Sequence, residues 1–317
     1  MISFTHIQAD KDGQRYMEKK KHDTHAIAII AALLGHVIWG LGYIFTRVAL
    51  RHASPEIILS HRFIVAFFIM NMLILMGKGS ISIKGKNLKP LLLLMIIEPV
   101  YFYFESYGIY HTNATFSGVV LAVIPIVAMV LAIFMLKEYP SKRQALFSIL
   151  PVAGVILMTI SGSEMGIIKF IGVVFLILTC FSSALYKIYN RKSSVEFSSF
   201  ERTYAILLVC VVFYTFEALR TNGWDIKGYV EPLMNMEFVL SILFLSIFCS
   251  FLSNLFCNYA AARLPVMQFS AFGATTTLAT MIVGILFLKE PFSAMSLIGS
   301  ALVLIGVWQV TKPEEDK

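Results

Sequence analysis

The chain has 317 residues, of which 58% are apolar and only 14% are charged, and its formal net charge is +7. Soluble domains carry about 45–50% apolar and about 25% charged residues, so a single water-soluble core is excluded; a disordered chain is excluded as well, because disorder needs low hydrophobicity. The apolar residues lie in runs of about twenty, the length of a bilayer-crossing helix, and not in the shorter alternating segments of a membrane β-barrel.

Ten apolar segments follow one another along the chain, each bounded by charged residues, glycine or proline. We expect a polar cytoplasmic tail at 1–24, a first five-helix repeat at 25–161, a second at 162–311 and a short cytoplasmic tail at 312–317. The predicted spans are 25–46, 56–76, 89–110, 114–136, 145–161, 167–189, 202–219, 238–262, 266–288 and 292–310.

The basic residues predict the orientation. With the N-terminus inside, 19 Lys and Arg residues fall on the inner side and 7 on the outer side. Membrane proteins concentrate basic residues in cytoplasmic loops, so the positive net charge is not a sign of nucleic-acid binding. We expect an integral plasma (inner) membrane protein with both termini in the cytoplasm.

Two sequence patterns recur in the two halves of the chain. The pattern R-x3-R-x2-S-x-E-x5-R that begins at Arg47 recurs 140 residues later, with lysine in its first position, from Lys187. The tripeptide Leu-Lys-Glu that begins at Leu136 recurs at Leu288, 152 residues later. Each half then carries five spans. Because five is an odd number, the first span of the second copy crosses the membrane in the opposite direction to the first span of the first copy. Inverted repeats of this kind build the alternating-access core of many secondary transporters.

This arrangement resembles the EamA-type transporters of the drug/metabolite transporter superfamily. The likeness covers nearly the whole chain and includes Trp39-Gly40, Arg62 at the start of the second span, Pro125 in the fourth and the Leu-Lys-Glu joins. It implies an all-α polytopic membrane protein, with ten transmembrane helices as two inverted five-helix repeats around a central cavity, that moves small metabolites, frequently outward. One departure is Thr277 in the position that corresponds to Pro125, which predicts unequal bending of the two helices.

Polar residues inside predicted spans identify a candidate substrate and proton site, because ionisable groups are costly in a membrane and face the interior of a helix bundle. Glu98, Tyr101 and Glu105 share one face of the third span, and Pro99 loosens that helix beside Glu98. The other candidates lie in the first and eighth spans: His36, Tyr43, Ser250 and Asn254.

Each candidate also has a structural interpretation. His36 could form only an interhelical hydrogen bond, and the small polar residues of the eighth span could serve packing. For Glu105 the alternative is an ion pair with Arg62, since the two residues lie at similar depth on the same side. We therefore expect Glu105 and Arg62 to approach each other, as part of an outer gate. Gly40, Pro99 and Pro125 are expected to serve helix packing and bending.

The predicted function is secondary transport of a small polar metabolite, an amino acid or amine-like compound, by alternating access. Proton-coupled export through Glu98 and His36 is expected. An alternative is a multidrug efflux carrier for lipophilic cations. A membrane receptor or intramembrane enzyme is disfavoured, because H-E-x-x-H and G-x-S-x-G motifs are absent.

The expected partners are a small-molecule substrate, the lipid bilayer and protons. We expect no nucleic acid and no cofactor. We also expect no metal site, because the four cysteines lie in apolar runs without a C-x-x-C pair. ATP is an unlikely driver without a phosphate-binding loop motif. Ten spans suffice to enclose a cavity, so a monomer is the default.

Overall fold

The structure is a computed structural model that describes residues 3–111, 120–121, 123–160, 169–288 and 294–312. These residues form helices and connections, with no β-strand among them. The joining segment at 289–293, which includes the second Leu-Lys-Glu repeat, lies outside the described residues.

The helices correspond in order to the ten predicted spans. In the first half, the helices are α1 (Ser3–Ala49), α2 (Pro55–Leu75), α3 (Lys89–Tyr110), α4 (Ile124–Leu136) and α5, which has two pieces (Lys142–Phe147 and Ile149–Ile160). In the second half, they are α6 (Phe170–Ser193), α7 (Ser199–Thr221), α8 (Met236–Ala261), α9 in two pieces (Val266–Ala271 and Gly273–Leu288) and α10 (Ala294–Thr311).

Five of these helices are long and apolar enough to cross a membrane. The qualifying segments are Thr24–Thr46 of α1, Pro55–Leu75, Phe170–Ser193, Ser199–Thr221 and Met236–Ala261, and shorter apolar helices accompany them. α1 begins at Ser3, so its backbone continues through most of the predicted polar tail. The connection between α7 and α8 contains a short helix, Ile226–Val230, and a single 3-10 turn, Glu231–Met234.

Local sequence signals explain where several helices begin. α5 and α7 each start with a capping box. The hydroxyl of the N-cap serine accepts a hydrogen bond from the backbone N–H three residues later, and the side chain of that later residue accepts one from the backbone N–H of the serine. The pairs are Ser141 with Gln144, and Ser198 with Glu201. α2 starts at Pro55, whose missing N–H costs nothing in the first turn.

The equivalent helices α2 and α7 pack antiparallel to each other. Ser60 near the start of α2 lies 2.9 Å from the hydroxyl of Thr215 near the end of α7. At the other end of the pair, Asn71 accepts a hydrogen bond from the hydroxyl of Tyr204 at 3.2 Å. Because α2 and α7 carry the two copies of the repeated motif, the copies cross the membrane in opposite directions.

Each helix pair that packs together has an equivalent pair, formed by the corresponding helices of the other half. α3 packs against α6, and their counterparts α8 and α1 pack against each other. Likewise α1 packs against α9 while α6 packs against α4, and α2 packs against α8 while α7 packs against α3. A pseudo-twofold axis in the membrane plane accounts for all these pairs. The predicted pair of inverted five-helix repeats is confirmed.

Two glycines allow α5 and α10 to pack closely. A Cβ atom on Gly154 would lie 2.4 Å from the carbonyl oxygen of Gly299, and one on Gly306 would lie 2.3 Å from Cδ of Pro151. Both clashes involve backbone or a proline ring, which cannot move aside like a flexible side chain. The two helices therefore approach only because these positions have no side chain.

We expect Gly154→Ala and Gly306→Ala each to destabilise the protein by about 1–3 kcal/mol, because overpacking forces the backbones apart. Thermal unfolding in detergent measures the effect. Gly273→Ala is the matched control, since a Cβ there would meet nothing within 4 Å. Equal unfolding temperatures for Gly154→Ala and wild type would contradict this account of the α5–α10 contact.

Candidate functional site

A cavity of about 640 Å³ lies between the two halves of the molecule, and α1 to α6, α8 and α9 all contribute to its wall. Its lining runs from Thr46 and Glu105, nearer the end of the bundle where α2 begins, past His36 and Glu98 in the middle of their helices, to Ser270 near the start of α9. We call the end where α2 begins the Arg62 end and the opposite one the Arg202 end. Four acidic or basic side chains line the cavity: Arg62, Glu98, Glu105 and Lys187.

The predicted polar face of α3 lies on the cavity. Glu98 is only 8% exposed and lines the wall together with Tyr101 and Glu105. The hydroxyl of Tyr101 donates a hydrogen bond of 2.7 Å to Oε1 of Glu105. Pro99 is buried within α3, and its carbonyl accepts a hydrogen bond from the hydroxyl of Tyr214 at 3.3 Å. α3 therefore presents two carboxyl groups, one of them held by a tyrosine, to one enclosed space.

Arg62 projects from α2 into the same cavity but does not pair with Glu105. Its Nε donates a hydrogen bond to the hydroxyl of Ser250 on α8, and its guanidinium carbon lies 5.5 Å from the centre of the Phe63 ring. Glu105 is bonded to Tyr101 instead, and no ion pair joins Arg62 to Glu105 among the described residues. The two residues share a cavity, and their role as a gate stays a prediction.

α1 contributes the ring of His36 to the cavity wall. Nδ1 of His36 lies 2.8 Å from the carbonyl oxygen of Ala32, and the ring meets Trp39 edge-on at 5.3 Å between centroids. Trp39 in turn donates from Nε1 to the carbonyl of Cys249 at 2.9 Å, which joins α1 to α8. Nδ1 of His36 also lies 3.9 Å from Sγ of Cys257 on α8, so both aromatic packing and this interhelical contact place the ring.

Two glycines of α1 lie near the cavity. Gly40, which we expected to serve helix packing, is buried, and Gly42 is the glycine that lines the cavity wall. A Cβ on Gly42 would lie 2.7 Å from Sγ of Cys249, so this glycine admits α8 close to α1. The backbone of Tyr43 belongs to α1, while its side chain lies outside the described part of the structure.

The predicted polar stripe of α8 serves mainly to hold helices together. Ser250 is fully buried and reaches the cavity only through its bond with Arg62. The amide of Asn254 donates to the carbonyl of Ser250 at 2.7 Å, and Asn254 does not line the cavity. The face of α8 on the cavity is formed instead by Leu245 and Cys249, each one position before a serine of this stripe, so the polar residues lie beside the cavity face and not on it.

The predicted helix-bending positions lie in α4 and α9. Pro125 is buried near the start of α4 and lines the cavity. α9 is interrupted at Phe272, although it carries Thr277 in the position equivalent to Pro125. The break next to Gly273 therefore does not depend on a proline at that equivalent position.

Lys187 is a cavity residue that the sequence interpretation missed. It was counted among the basic residues of a cytoplasmic connection, but it lies within α6, is 9% exposed and lines the cavity one turn after Ser183. Its position inside a predicted span, spaced four residues from a small polar residue, was the signal that could have identified it. The ammonium has no hydrogen-bond or ion-pair partner in the described part of the chain.

A buried polar network occupies the Arg202 end. Arg202 is fully buried and donates to the backbone carbonyl of Asn190 at 3.0 Å, to the side-chain oxygen of Asn190, and to the carbonyl of Asn258 at 2.5 Å. The amide of Asn258 donates to the hydroxyl of Thr203 at 2.7 Å. This Arg202 network ties α6, α7 and α8 together on the side opposite to Arg62.

A second contact lies beside this network. Glu138, which follows α4, lies 3.6 Å from Nε of Arg191 and accepts the backbone N–H of Val266 at 2.9 Å. The first half is thus joined to the second at the Arg202 end. Among the described residues, no group of three His, Cys, Asp or Glu side chains could hold a metal ion.

The fold and the sequence both have known relatives. A solved crystal structure superposes with a TM-score of 0.72 over 89% of this chain and 95% of that chain, and at 13% identity it shows a shared fold. The uncharacterized transporter YcxC of Bacillus subtilis is 33% identical over 284 residues, which cover 88% of this chain and 91% of YcxC. An uncharacterized transporter of Archaeoglobus fulgidus is 25% identical, over 89% and 98% of the two chains.

The model of the EamA-like transporter family matches residues 26–160 and again residues 170–312, once in each structural half. The two matches cover most of the chain. The spans and the transporter relatives make it an integral membrane protein that moves a small molecule, and not an enzyme. This chain belongs to the EamA-like transporter family.

Proposed function

We propose that the protein carries a small polar metabolite with an amine group, an amino acid or amine-like compound, across the inner membrane by alternating access. The observation that carries this proposal is the pair of α3 carboxyl groups, Glu98 and Glu105, in one cavity with Arg62. Each ionisable group at mid-membrane costs about 2.5–3.5 kcal/mol on insertion scales, so such a set marks a substrate or ion pathway.

Alternating access is supported by the inverted repeats and by the contacts at the Arg202 end. There, the Arg202 network and the Glu138 contacts join helices of both halves. In transporters with inverted repeats, exchanging the conformations of the two repeats opens the cavity to one side and closes it to the other. A carboxyl group that faces both sides in turn can carry a proton, and we assign that role to Glu98 in proton-coupled export.

The membrane orientation is part of the proposal. The excess of basic residues on the side of both termini supports a cytoplasmic location for the N- and C-termini. Lys187 was counted among these basic residues but lines the cavity, and leaving it out reduces the excess by one residue only. A single chain encloses the whole cavity, which supports a monomer as the transporting unit.

A second candidate is efflux of lipophilic cations. The observation in its favour is the aromatic part of the cavity wall, formed by Trp39, Tyr101, Phe102 and Phe269. Aromatic faces attract organic cations, and two carboxyl groups would supply the counter-charge. Arg62 and Lys187 disfavour this candidate, because they add positive charge to the same space.

Counterflow in liposomes tests the proposal. The purified protein is reconstituted with an excess of one unlabelled compound inside, and the entry of the same labelled compound is followed for amino acids, polyamines and tetraphenylphosphonium. We expect accumulation of an amino acid or amine above the level of protein-free liposomes. Accumulation of tetraphenylphosphonium alone would support the second candidate, and binding without accumulation of any compound would overturn transport.

A further inference from the structure

Lys187 is a buried cation that the protein itself does not neutralise. Its side chain belongs to α6 and lines the cavity, and within the described residues no carboxylate lies within 4.0 Å of its ammonium. Arg62, the other cation of the cavity, has the hydroxyl of Ser250 as an acceptor. A buried charge without a partner is costly, and such charges are normally paired.

The wall around this lysine offers further hydrogen-bonding groups. Ser183 lies one turn before Lys187 on α6 and lines the same cavity. The hydroxyl of Ser270, in the first piece of α9, is fully buried, lines the cavity and has no hydrogen-bond partner. Since this piece of α9 packs against α6, Ser270 and Lys187 come from neighbouring helices. A buried hydroxyl without a partner is itself a sign that a ligand completes the site.

The cavity thus has two chemically different sides. α3 contributes the carboxyl groups of Glu98 and Glu105, whereas α6 contributes an ammonium, and no ion pair connects them among the described residues. A substrate with an amine alone would satisfy the α3 side and leave Lys187 opposed by a second positive charge. A substrate that carries an amine and a carboxylate satisfies both sides.

We propose that Lys187, with Ser183 and Ser270, forms a subsite for the carboxylate of the substrate, so that the transported compound is a zwitterion with its amine towards Glu98 and Glu105. This assignment rests on the proposed transport function and narrows its substrate class. It separates amino acids from simple amines and from lipophilic cations. The substrate is the counter-ion that the buried lysine lacks.

Matched ligand pairs test the subsite. Binding to the purified protein is measured for L-leucine against L-leucinamide and for L-phenylalanine against L-phenylalaninamide, which differ only in the carboxylate. A charge-assisted bond contributes about 1.5–3 kcal/mol, so we expect the acid of at least one pair to bind about tenfold or more tightly than its amide. We expect Lys187→Met to remove that preference and Lys187→Arg to retain most of it.

Lys192→Met is the matched control. Lys192 lies on the same helix but outside the cavity, where its ammonium is 5.5 Å from the centre of the Tyr189 ring. It should leave the acid-to-amide ratio at the wild-type value. If Lys187→Met does not fold, the ratios of the wild type and of Lys187→Arg decide the question.

Two results would overturn the subsite: a wild type that distinguishes neither pair, or an unchanged preference in Lys187→Met. These results leave the transport function open to a separate outcome, since counterflow of amides or amines would still show a carrier. Failure of every compound to counterflow would instead contradict transport itself.

Discussion

Replacing Glu98 with glutamine is expected to reduce transport driven by a pH gradient to the level of protein-free liposomes. Glutamine has nearly the same size as glutamate but cannot release a proton, so the substitution removes proton exchange and leaves the cavity shape intact. Glu98 is buried in the middle of α3, on the wall of the cavity. Uptake into liposomes with and without an imposed pH gradient measures the effect.

Counterflow supplies the internal comparison for this variant. Exchange of substrate for substrate needs no net proton movement, so Glu98→Gln should still show it at saturating substrate, although the amine binds more weakly because it loses one of its two carboxyl partners. Glu231→Gln, in an exposed turn between α7 and α8, is the matched control and should behave as the wild type in both assays. An unchanged response of Glu98→Gln to the pH gradient would remove Glu98 from the coupling mechanism.

Arg202→Ala is expected to destabilise the protein by about 3–5 kcal/mol, because it leaves several buried acceptors without a donor. The guanidinium donates to both oxygens of Asn190 and to the carbonyl of Asn258, and all three groups are buried. Thermal unfolding in detergent and the yield of monodisperse protein measure the loss.

Two further variants separate charge from geometry at this position. Arg202→Lys keeps the charge but cannot donate in several directions at once, so its unfolding temperature should lie between those of alanine and wild type. Arg263→Ala removes an exposed arginine that lies over the Tyr259 ring at 3.6 Å, and its effect should be small. Equal stability of Arg202→Ala and Arg263→Ala would contradict a structural role for the network.

The fold could be predicted from the sequence because the two halves of the chain carry the same sequence motifs. The motif that begins at Arg47 and its copy at Lys187 fix the correspondence of the halves, and five spans per half fix the inversion. The antiparallel packing of α2 against α7 follows from that arithmetic. The polar face of α3 was predictable for a similar reason, because a regular helix keeps Glu98 and Glu105 on one side.

Other features depend on departures from regular geometry. Asn254 was expected in the cavity from steps of four residues, but the face of α8 on the cavity carries Leu245 and Cys249, one position away from that polar stripe. Arg62 was expected opposite Glu105, but Tyr101 and Ser250 supply closer hydrogen-bond partners, which only coordinates reveal. Lys187 lies inside the predicted sixth span, but it was counted with the basic residues of the cytoplasmic side, because such counting treats a charge near a helix end as solvent-exposed.

The symmetry of the repeats makes the surroundings of Arg202 a template for Arg62 in the opposite state. By the repeat offsets, Asn190 and Asn258 correspond to Leu50 and Ser106, whose backbone carbonyls could accept the same bonds. We therefore expect each arginine to be held by buried acceptors in one state and to face the cavity in the other. A structure open at the Arg202 end in which Arg62 is still bonded to Ser250 would contradict this expectation.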